Sequence, residues 1–192
     1  MRKVQAIAFL GLAGLGPWPA WAQQPPSSPA TPRIEAPVDI ADPYTAYEFL
    51  IGDWDSRPAG GADVAIHQNF RWGTRHSYIY YTTMTRENGR PEAIHFEGMF
   101  VWNGANHNLD YVIVSEPGSG AQEKGTMHSE SDGSIVRDVT MTRANGQLAR
   151  FRQTFRRTGP DTALTSLMRQ TEAGWEPNFP GSDHILMTRR TS

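Results

Sequence analysis

The sequence contains no cysteine, and this absence excludes several kinds of structure and chemistry. No disulfide can form, so the fold must be held together by its apolar core. Cysteine nucleophiles, thiolate metal sites and a lipid-modified N-terminal cysteine are excluded for the same reason. Any binding or catalytic site must therefore be built without a thiol group.

Recognised catalytic motifs are also lacking. The sequence has no P-loop, no glycine pattern typical of dinucleotide binding and no serine in a Gly-x-Ser-x-Gly setting. His95 and Glu97 share one face of a predicted strand and could supply two metal ligands, but no third ligand has a suitable spacing. We therefore predict no catalytic residue, no metal site and no required cofactor, and we favour a binding protein over an enzyme.

Long apolar runs and a strong excess of one charge are lacking as well. After residue 22, no segment approaches the ~20 consecutive apolar residues that a membrane-spanning helix needs. Without Arg2 and Lys3, the 18 basic residues fall to 16 against 20 acidic ones, a net charge of −4. This balance favours neither nucleic acid nor an anionic membrane surface as a partner.

The N-terminal segment has the pattern of an export signal. Residues 1–22 combine a short basic start, an apolar stretch and a small-x-small pattern that ends at Ala22. This is typical of a secretory signal peptide cleaved after Ala22, and its length and alanine content predict a bacterial periplasmic or secreted protein. Residues 23–41 contain five prolines and no apolar periodicity, which predicts a disordered linker.

Residues 42–192 are predicted to form one all-β domain. Asp42 followed by Pro43 is a helix start, and Gly52 ends the short helix that we predict over 43–51. After it, Asn-Gly, Asp-Gly and other turn signals separate runs rich in β-branched and aromatic residues. No gap could hold a crossover helix, so neighbouring strands should pair antiparallel. We predict a closed up-and-down β-barrel of about ten strands, which encloses a ligand cavity.

The stretch FLIGDWDS, which contains Gly52-Asp53-Trp54, resembles a known family. Its glycine and tryptophan are similar to the Gly-x-Trp motif on the first strand of lipocalins and related calycins. The stretch also resembles the first strand of secreted bacterial lipocalin-like domains of unknown function. This resemblance covers residues 44–192 and implies a calycin-like barrel.

The same resemblance implies how the barrel is closed. In these families the tryptophan caps the barrel floor, and an arginine from near the last strand packs across its indole ring. The matching residues here are Trp54 with either Arg189 or Arg190. Asp53 and Asp55, which flank the tryptophan, are expected to face solvent at the end of the barrel.

A second resemblance, to nitrobindin-like haem barrels, provides an alternative. Those proteins carry a longer motif, Gly-x-Trp-x-Gly-x-Gly, and Ser56 and Pro58 replace its two later glycines in this chain. Their haem is held by a histidine on a late strand, for which His184 is the candidate here. This resemblance implies a haem protein or a barrel enzyme as the alternative to a cofactor-free binding protein.

Period-two alternation identifies candidate residues for the inside of the barrel. Two amides and one guanidinium interrupt otherwise apolar faces, and tyrosines accompany them on neighbouring strands. An apolar cavity with these groups suits a small apolar or amphipathic molecule, with a fatty or aromatic carboxylate as one candidate. The predicted ligand-binding residues are Gln68, Tyr78, Tyr80, Phe96, Arg137 and Gln153.

Two aspects of this cavity stay open at the level of sequence. Buried Arg137 needs an anion, which is either a ligand carboxylate or an internal one such as Glu97 or Asp138. If the strand phase is shifted, Arg137 instead faces solvent. The segment 137–157 contains six arginines and one acid. This composition is typical of a solvated outer face, and a docking surface for a cell-envelope protein is the alternative.

The export signal generates the first testable prediction. An exported protein should begin at Gln23, because signal peptidase cleaves after the small-x-small pattern that ends at Ala22. N-terminal sequencing or the intact mass of the exported protein measures this. Ala22→Phe is the matched control and should accumulate uncleaved protein. An exported wild-type form that retains Met1 would contradict the prediction.

Overall fold

The computed structural model describes residues 42–59, 64–87, 93–115 and 118–190. The predicted signal peptide (1–22) and linker (23–41) lie outside these residues. In this part of the chain, no helix is long and apolar enough to cross a membrane.

Eleven strands make up most of the described chain. In chain order they are β1 (Gly52–Pro58), β2 (Val64–Trp72), β3 (Ile79–Glu87), β4 (Ala93–Asn103), β5 (Asn108–Ser115), β6 (Ala121–Ser129), β7 (Ile135–Thr142), β8 (Leu148–Arg157), β9 (Thr162–Thr171), β10 (Gly174–Pro177) and β11 (Ile185–Arg189). A first 3₁₀ helix, Thr45–Leu50, precedes β1 and is shorter than the helix predicted over 43–51. A second, Thr74–His76, connects β2 to β3.

Ten of these strands close into a barrel, which confirms the predicted all-β fold. Each strand from β1 to β9 pairs antiparallel with the next, and β11 joins β9 to β1. The extra strand, β10, pairs with residues 168–171 of β9, while β11 pairs with residues 162–165 of the same strand. Closure in this way avoids the unpaired edges that an open sheet would expose.

The strands form where buried and exposed residues alternate. In β5, Leu109, Tyr111 and Ile113 are buried, while Val112 and Val114 are exposed. The inward residues of the different strands meet inside the ring and form one hydrophobic core. Its largest fully buried side chains are Trp54, Phe70, Phe100 and Phe155.

The first 3₁₀ helix closes one end of the barrel. The hydroxyl of Tyr44 donates to the carbonyl of Ser77 at 2.8 Å and accepts from the N–H of Trp102 at 3.0 Å. The hydroxyl of Tyr47 donates to the carbonyl of Met127 at 3.2 Å. Burial raises the pKa of Tyr47 to about 12, so this hydroxyl keeps its proton and continues to donate. The helix is therefore held to β4 and β6 by the side chains that fill the barrel end.

Trp54 and Arg189 fasten the end of this helix to the first and last strands. Trp54 is 1% exposed and lies opposite Arg189 in the pairing of β1 with β11. The guanidinium carbon of Arg189 is 4.4 Å from the ring centroid of Trp54, within the range of a cation–π contact. The indole N–H donates to the carbonyl of Leu50 at 2.8 Å, and two guanidinium nitrogens donate to the carbonyls of Phe49 and Ile51. Three consecutive carbonyl groups at the helix end are thereby bound.

Gly52 is required by the same arrangement. Its φ angle is +130°, a conformation that other residues rarely adopt. A Cβ atom at this position would also lie 2.3 Å from Nη1 of Arg189. The glycine two residues before the tryptophan therefore provides the space that the guanidinium occupies.

Arg190 lies on the outer face of the barrel rather than over the indole. It forms two hydrogen bonds, of 3.1 and 3.2 Å, with the carboxylate of Asp55. Buried His67 lies between Asp53 and Asp55, with each ring nitrogen 3.2 Å from one carboxylate oxygen. Burial alone would raise the pKa of Asp55, but the hydrogen bonds from Arg190 and His67 outweigh it and lower this pKa. The two aspartates, which the sequence led us to expect facing solvent, are half-exposed, and each has a polar partner.

The closure of the barrel generates a stability prediction. Trp54→Ala should lower the free energy of unfolding by roughly 3–5 kcal/mol, because it leaves a cavity beneath Arg189 and removes the donor to the Leu50 carbonyl. Trp175→Ala is the matched control: Trp175 is 39% exposed and contacts Arg152 on the surface, so the loss should stay below about 1 kcal/mol. Urea denaturation measures both variants. Equal small losses would contradict the closing role of Trp54.

Candidate ligand-binding cavity

A cavity of about 800 Å³ lies inside the barrel, beyond Trp54 as seen from the first 3₁₀ helix. Residues of β1 to β4, β6 to β9 and β11 line it, together with residues 178–180. Cavities of roughly 300–1,000 Å³ are typical of sites for small molecules and cofactors. The cavity is therefore large enough for a ligand of ordinary metabolite size.

Five strands repeat the same inward order of apolar, polar and apolar residues. Counted from the closed end, the first inward residues are at most 1% exposed and form the floor: Trp54, Phe70, Ile135, Phe155 and Ala163. The next inward residues, which we call the polar layer, are Ser56, Gln68, Arg137, Gln153 and Thr165. The third, which we call the apolar layer, are Pro58, Ile66, Val139, Phe151 and Leu167. The cavity therefore has a polar bottom and apolar walls above it.

Arg137 of the polar layer is part of a buried ion pair. It is 5% exposed, and its guanidinium bonds the equally buried carboxylate of Glu123 on β6. The rings of Tyr81 and Tyr111 lie 5.7 and 5.1 Å from the guanidinium carbon. Burial alone would lower the pKa of Arg137, but the charge of Glu123 and the tyrosines outweigh it and raise this pKa. The guanidinium stays charged, and its anion is a residue of the protein itself.

Arg137 pairs with neither of the carboxylates that the sequence suggested, Glu97 and Asp138. Asp138 instead pairs with Arg152 on the outer surface, at 2.8 Å. Glu97 lies on β4 and lines no part of the cavity, whereas Glu123 lines it. The side chain of Glu123 reaches Arg137 diagonally, because its direct cross-strand neighbour is Met141.

Gly125 makes room for Tyr111 and for the backbone of β7. It lies between Glu123 and Met127 on the inner side of β6. A Cβ atom there would lie 2.0 Å from the carbonyl oxygen of Asp138 and 3.2 Å from the hydroxyl of Tyr111. That hydroxyl donates to the Asp138 carbonyl at 2.9 Å, and burial raises the pKa of Tyr111 to about 12. The tyrosine is therefore a fixed, neutral support beneath the guanidinium.

A chain of hydrogen bonds orders the other side of the polar layer. The hydroxyl of Ser56 donates to Oε1 of Gln68 at 3.3 Å, which orients the amide. Nε2 of Gln68 then donates to the hydroxyl oxygen of Tyr81 at 2.9 Å, and the hydroxyl of Thr83 donates to the same oxygen. Further round the ring, Nε2 of Gln153 donates to Oγ1 of Thr165 at 3.3 Å.

Two predicted cavity residues, Tyr78 and Tyr80, lie outside the cavity, contrary to the prediction. Tyr80 is on the outer face, 4.3 Å from the guanidinium carbon of Arg71. Tyr78 precedes β3 and packs against Gly73, where a Cβ atom would lie 2.2 Å from its ring. Both faces of this strand carry tyrosine and other strand-forming residues, so alternation alone does not reveal which face is buried. The buried residues are Ile79, Tyr81 and Thr83.

The other four predicted residues do line the cavity: Gln68, Phe96, Arg137 and Gln153. Sequence reasoning missed Glu123 and Tyr81. The signal for Glu123 was present, because it shares the period-two face of Gly125 and Met127. The sequence held no such signal for Tyr81, because both faces of β3 carry tyrosine and other strand-forming residues.

The structure shows where the histidines considered as metal or haem ligands lie. In the part of the chain that the structure describes, no group of three or more histidine or acidic side chains could hold a metal ion. His184, the candidate haem ligand, is 75% exposed beside Asp183 and lies away from the cavity. His95 lines the cavity next to Phe96. The arrangement of His184 therefore does not fit a haem held inside the barrel.

No family model matches this chain, and no curated protein matches it. A barrel fold does not by itself identify a lipocalin or calycin, because one fold carries many functions. The function must therefore be argued from the cavity.

The ion pair generates the next prediction. Arg137→Met should lower the free energy of unfolding by roughly 3–5 kcal/mol, because it leaves the charge of Glu123 buried and unpaired. The double variant Arg137→Met/Glu123→Met should recover most of this loss, since it removes both charges. Urea denaturation measures all three proteins.

Arg152→Met is the matched control for this experiment. Its partner Asp138 is 38% exposed, so the loss should stay below about 1 kcal/mol. A double variant no more stable than Arg137→Met alone would contradict the pairing of Arg137 with Glu123.

Proposed function

We propose that this protein binds a small amphipathic molecule inside the barrel, with an uncharged polar group at the bottom of the cavity and an apolar part against the walls. The observation that carries this proposal is the polar layer enclosed between an apolar floor and an apolar layer. Burying polar groups is costly, so a barrel interior that serves only to stabilise the fold would be expected to carry apolar groups at this depth. A ligand with one polar end matches both layers at once.

The charge of the site favours a neutral polar group over the carboxylate considered from the sequence. Glu123 already compensates the charge of Arg137, so the pair has no net charge. A ligand carboxylate would place a second negative charge beside Glu123 in a buried site, which is unfavourable. The ligand is therefore a neutral amphipathic molecule rather than a fatty or aromatic acid.

The proposal extends to the setting in which binding takes place. The signal-peptide pattern of residues 1–22 supports export to a bacterial periplasm or the exterior. Trp54 under Arg189 supports a lipocalin-like barrel, because that contact is the one the resemblance implied. The function is then that of an exported carrier or sensor of a small molecule, without a catalytic step.

A binding experiment tests the proposal. The wild-type protein should bind the apolar fluorophore diphenylhexatriene, and Met141→Trp should weaken this binding at least about tenfold, because a larger side chain fills space that the ligand needs. Val112→Trp is the matched control: Val112 is 54% exposed on the outer face, so binding should not change.

Native mass spectrometry of the protein purified from its own source should also show a bound small molecule. Absence of a bound molecule together with no binding of the fluorophore would contradict the proposal. Equal binding by the two tryptophan variants would place the ligand outside the cavity.

A further inference from the structure

The hydroxyl of Tyr81 already accepts two hydrogen bonds. Nε2 of Gln68 donates to it at 2.9 Å, and the hydroxyl of Thr83 donates to it as well. Ser56 holds the amide of Gln68 in the orientation that makes its nitrogen, rather than its oxygen, face Tyr81. Because both incoming partners are donors, the proton of Tyr81 has to point elsewhere. In the described part of the chain, no residue accepts it, and Tyr81 lines the cavity.

A second donor of the same layer is also without an acceptor. Nε of Arg137 is buried and has no hydrogen-bond partner among the described residues. Arg137 is 5% exposed and lines the cavity, and its guanidinium carbon lies 5.7 Å from the ring of Tyr81. Buried N–H groups are nearly always paired in folded proteins, so each such group needs an explanation. Among the described residues, the polar layer and its surroundings therefore contain two donors without acceptors, the Tyr81 hydroxyl and Nε of Arg137.

We infer that the ligand supplies this acceptor as a neutral carbonyl oxygen, and that Tyr81 is the residue that selects for it. The inference rests on the proposed function and specifies its ligand class: an amphipathic ketone, aldehyde, ester or amide that enters carbonyl first. A carbonyl oxygen has two lone pairs and no proton of its own, so it accepts from the Tyr81 hydroxyl without needing an acceptor in return. A carboxylate would also accept, but it would repel Glu123.

Three matched fluorescent probes test this inference. The first is the naphthalene ketone 6-propionyl-2-dimethylaminonaphthalene, and the second is its 6-propyl analogue, which lacks the carbonyl oxygen. The third is 6-dimethylamino-2-naphthoate, which carries a carboxylate. The wild-type protein should bind the ketone about tenfold more tightly than the propyl analogue, the effect of one well-formed hydrogen bond in a buried site, and should bind the carboxylate more weakly than the ketone.

Tyr81→Phe should abolish the preference for the ketone over the propyl analogue, because it removes the hydroxyl that donates to the carbonyl; the same change also removes the oxygen that accepts from Gln68 and Thr83. Tyr47→Phe is the matched control, since its hydroxyl donates to the Met127 carbonyl at the closed end. That variant should keep the tenfold preference. Thr83→Val should keep the preference too. Tighter binding of the ketone by Thr83→Val would mean that Tyr81 donates to Thr83 in the native protein, and would overturn the inference.

The vibrational frequency of the bound ketone provides a measurement that needs no variant. The carbonyl stretch of the ketone bound to the wild-type protein should lie below its value in hexane, because hydrogen bonding weakens the C=O bond. A frequency equal to that in hexane would overturn the inference even if Tyr81→Phe does not fold. Equal wild-type affinity for ketone and propyl analogue would also overturn it, while leaving the proposed function intact. Failure to bind any of the three probes would overturn the inference, and failure to bind diphenylhexatriene as well would also contradict the proposed function.

Discussion

Arg189 and Trp54 together bind three consecutive carbonyl groups at the end of the first 3₁₀ helix. A short helix leaves such carbonyls without partners, and a helix end inside a barrel cannot leave them unpaired. The two residues lie opposite each other on the first and last strands, which are the strands that complete the ring. The same contact therefore closes both the end of the barrel and its circumference. The cavity exists because this end is plugged and the residues above the plug leave space.

The polar layer also fixes the register of the ring. Its hydrogen bonds and its ion pair join residues on neighbouring strands, such as Ser56 with Gln68, Arg137 with Glu123 and Gln153 with Thr165. A slip of one residue in any of these strands would turn the polar side chain outward and leave its partner buried without a bond. Correct strand pairing and the proposed ligand recognition thus depend on the same side chains. This explains how the protein tolerates buried polar groups that would otherwise only reduce its stability.

The elements of the fold followed from local sequence features. Turn signals and β-branched runs identified the strands, and the lack of room for crossover helices identified their antiparallel pairing. Gly52 and Trp54 indicated the closure, although the sequence did not distinguish Arg189 from Arg190. In an antiparallel pair the residues opposite Trp54 depend on the register of the last strand, and that register is set by the whole ring. The extra strand β10 was missed, because it shares one edge of β9 with β11.

For the cavity, alternation within a strand by itself predicted that Gln68, Arg137 and Gln153 face inward, since each interrupts an apolar face, although the phase of the strand around Arg137 stayed open. Alternation did not identify the inward face of β3, because tyrosine and β-branched residues occupy both of its faces. Tyr80 was therefore predicted to line the cavity, whereas Tyr81 lines it in the structure. Only the tertiary structure decided that Glu123 neutralises Arg137 and that Gln68 and Thr83 both donate to Tyr81. These contacts join different strands, and their distances depend on the closure and register of the barrel rather than on the pattern of any single strand.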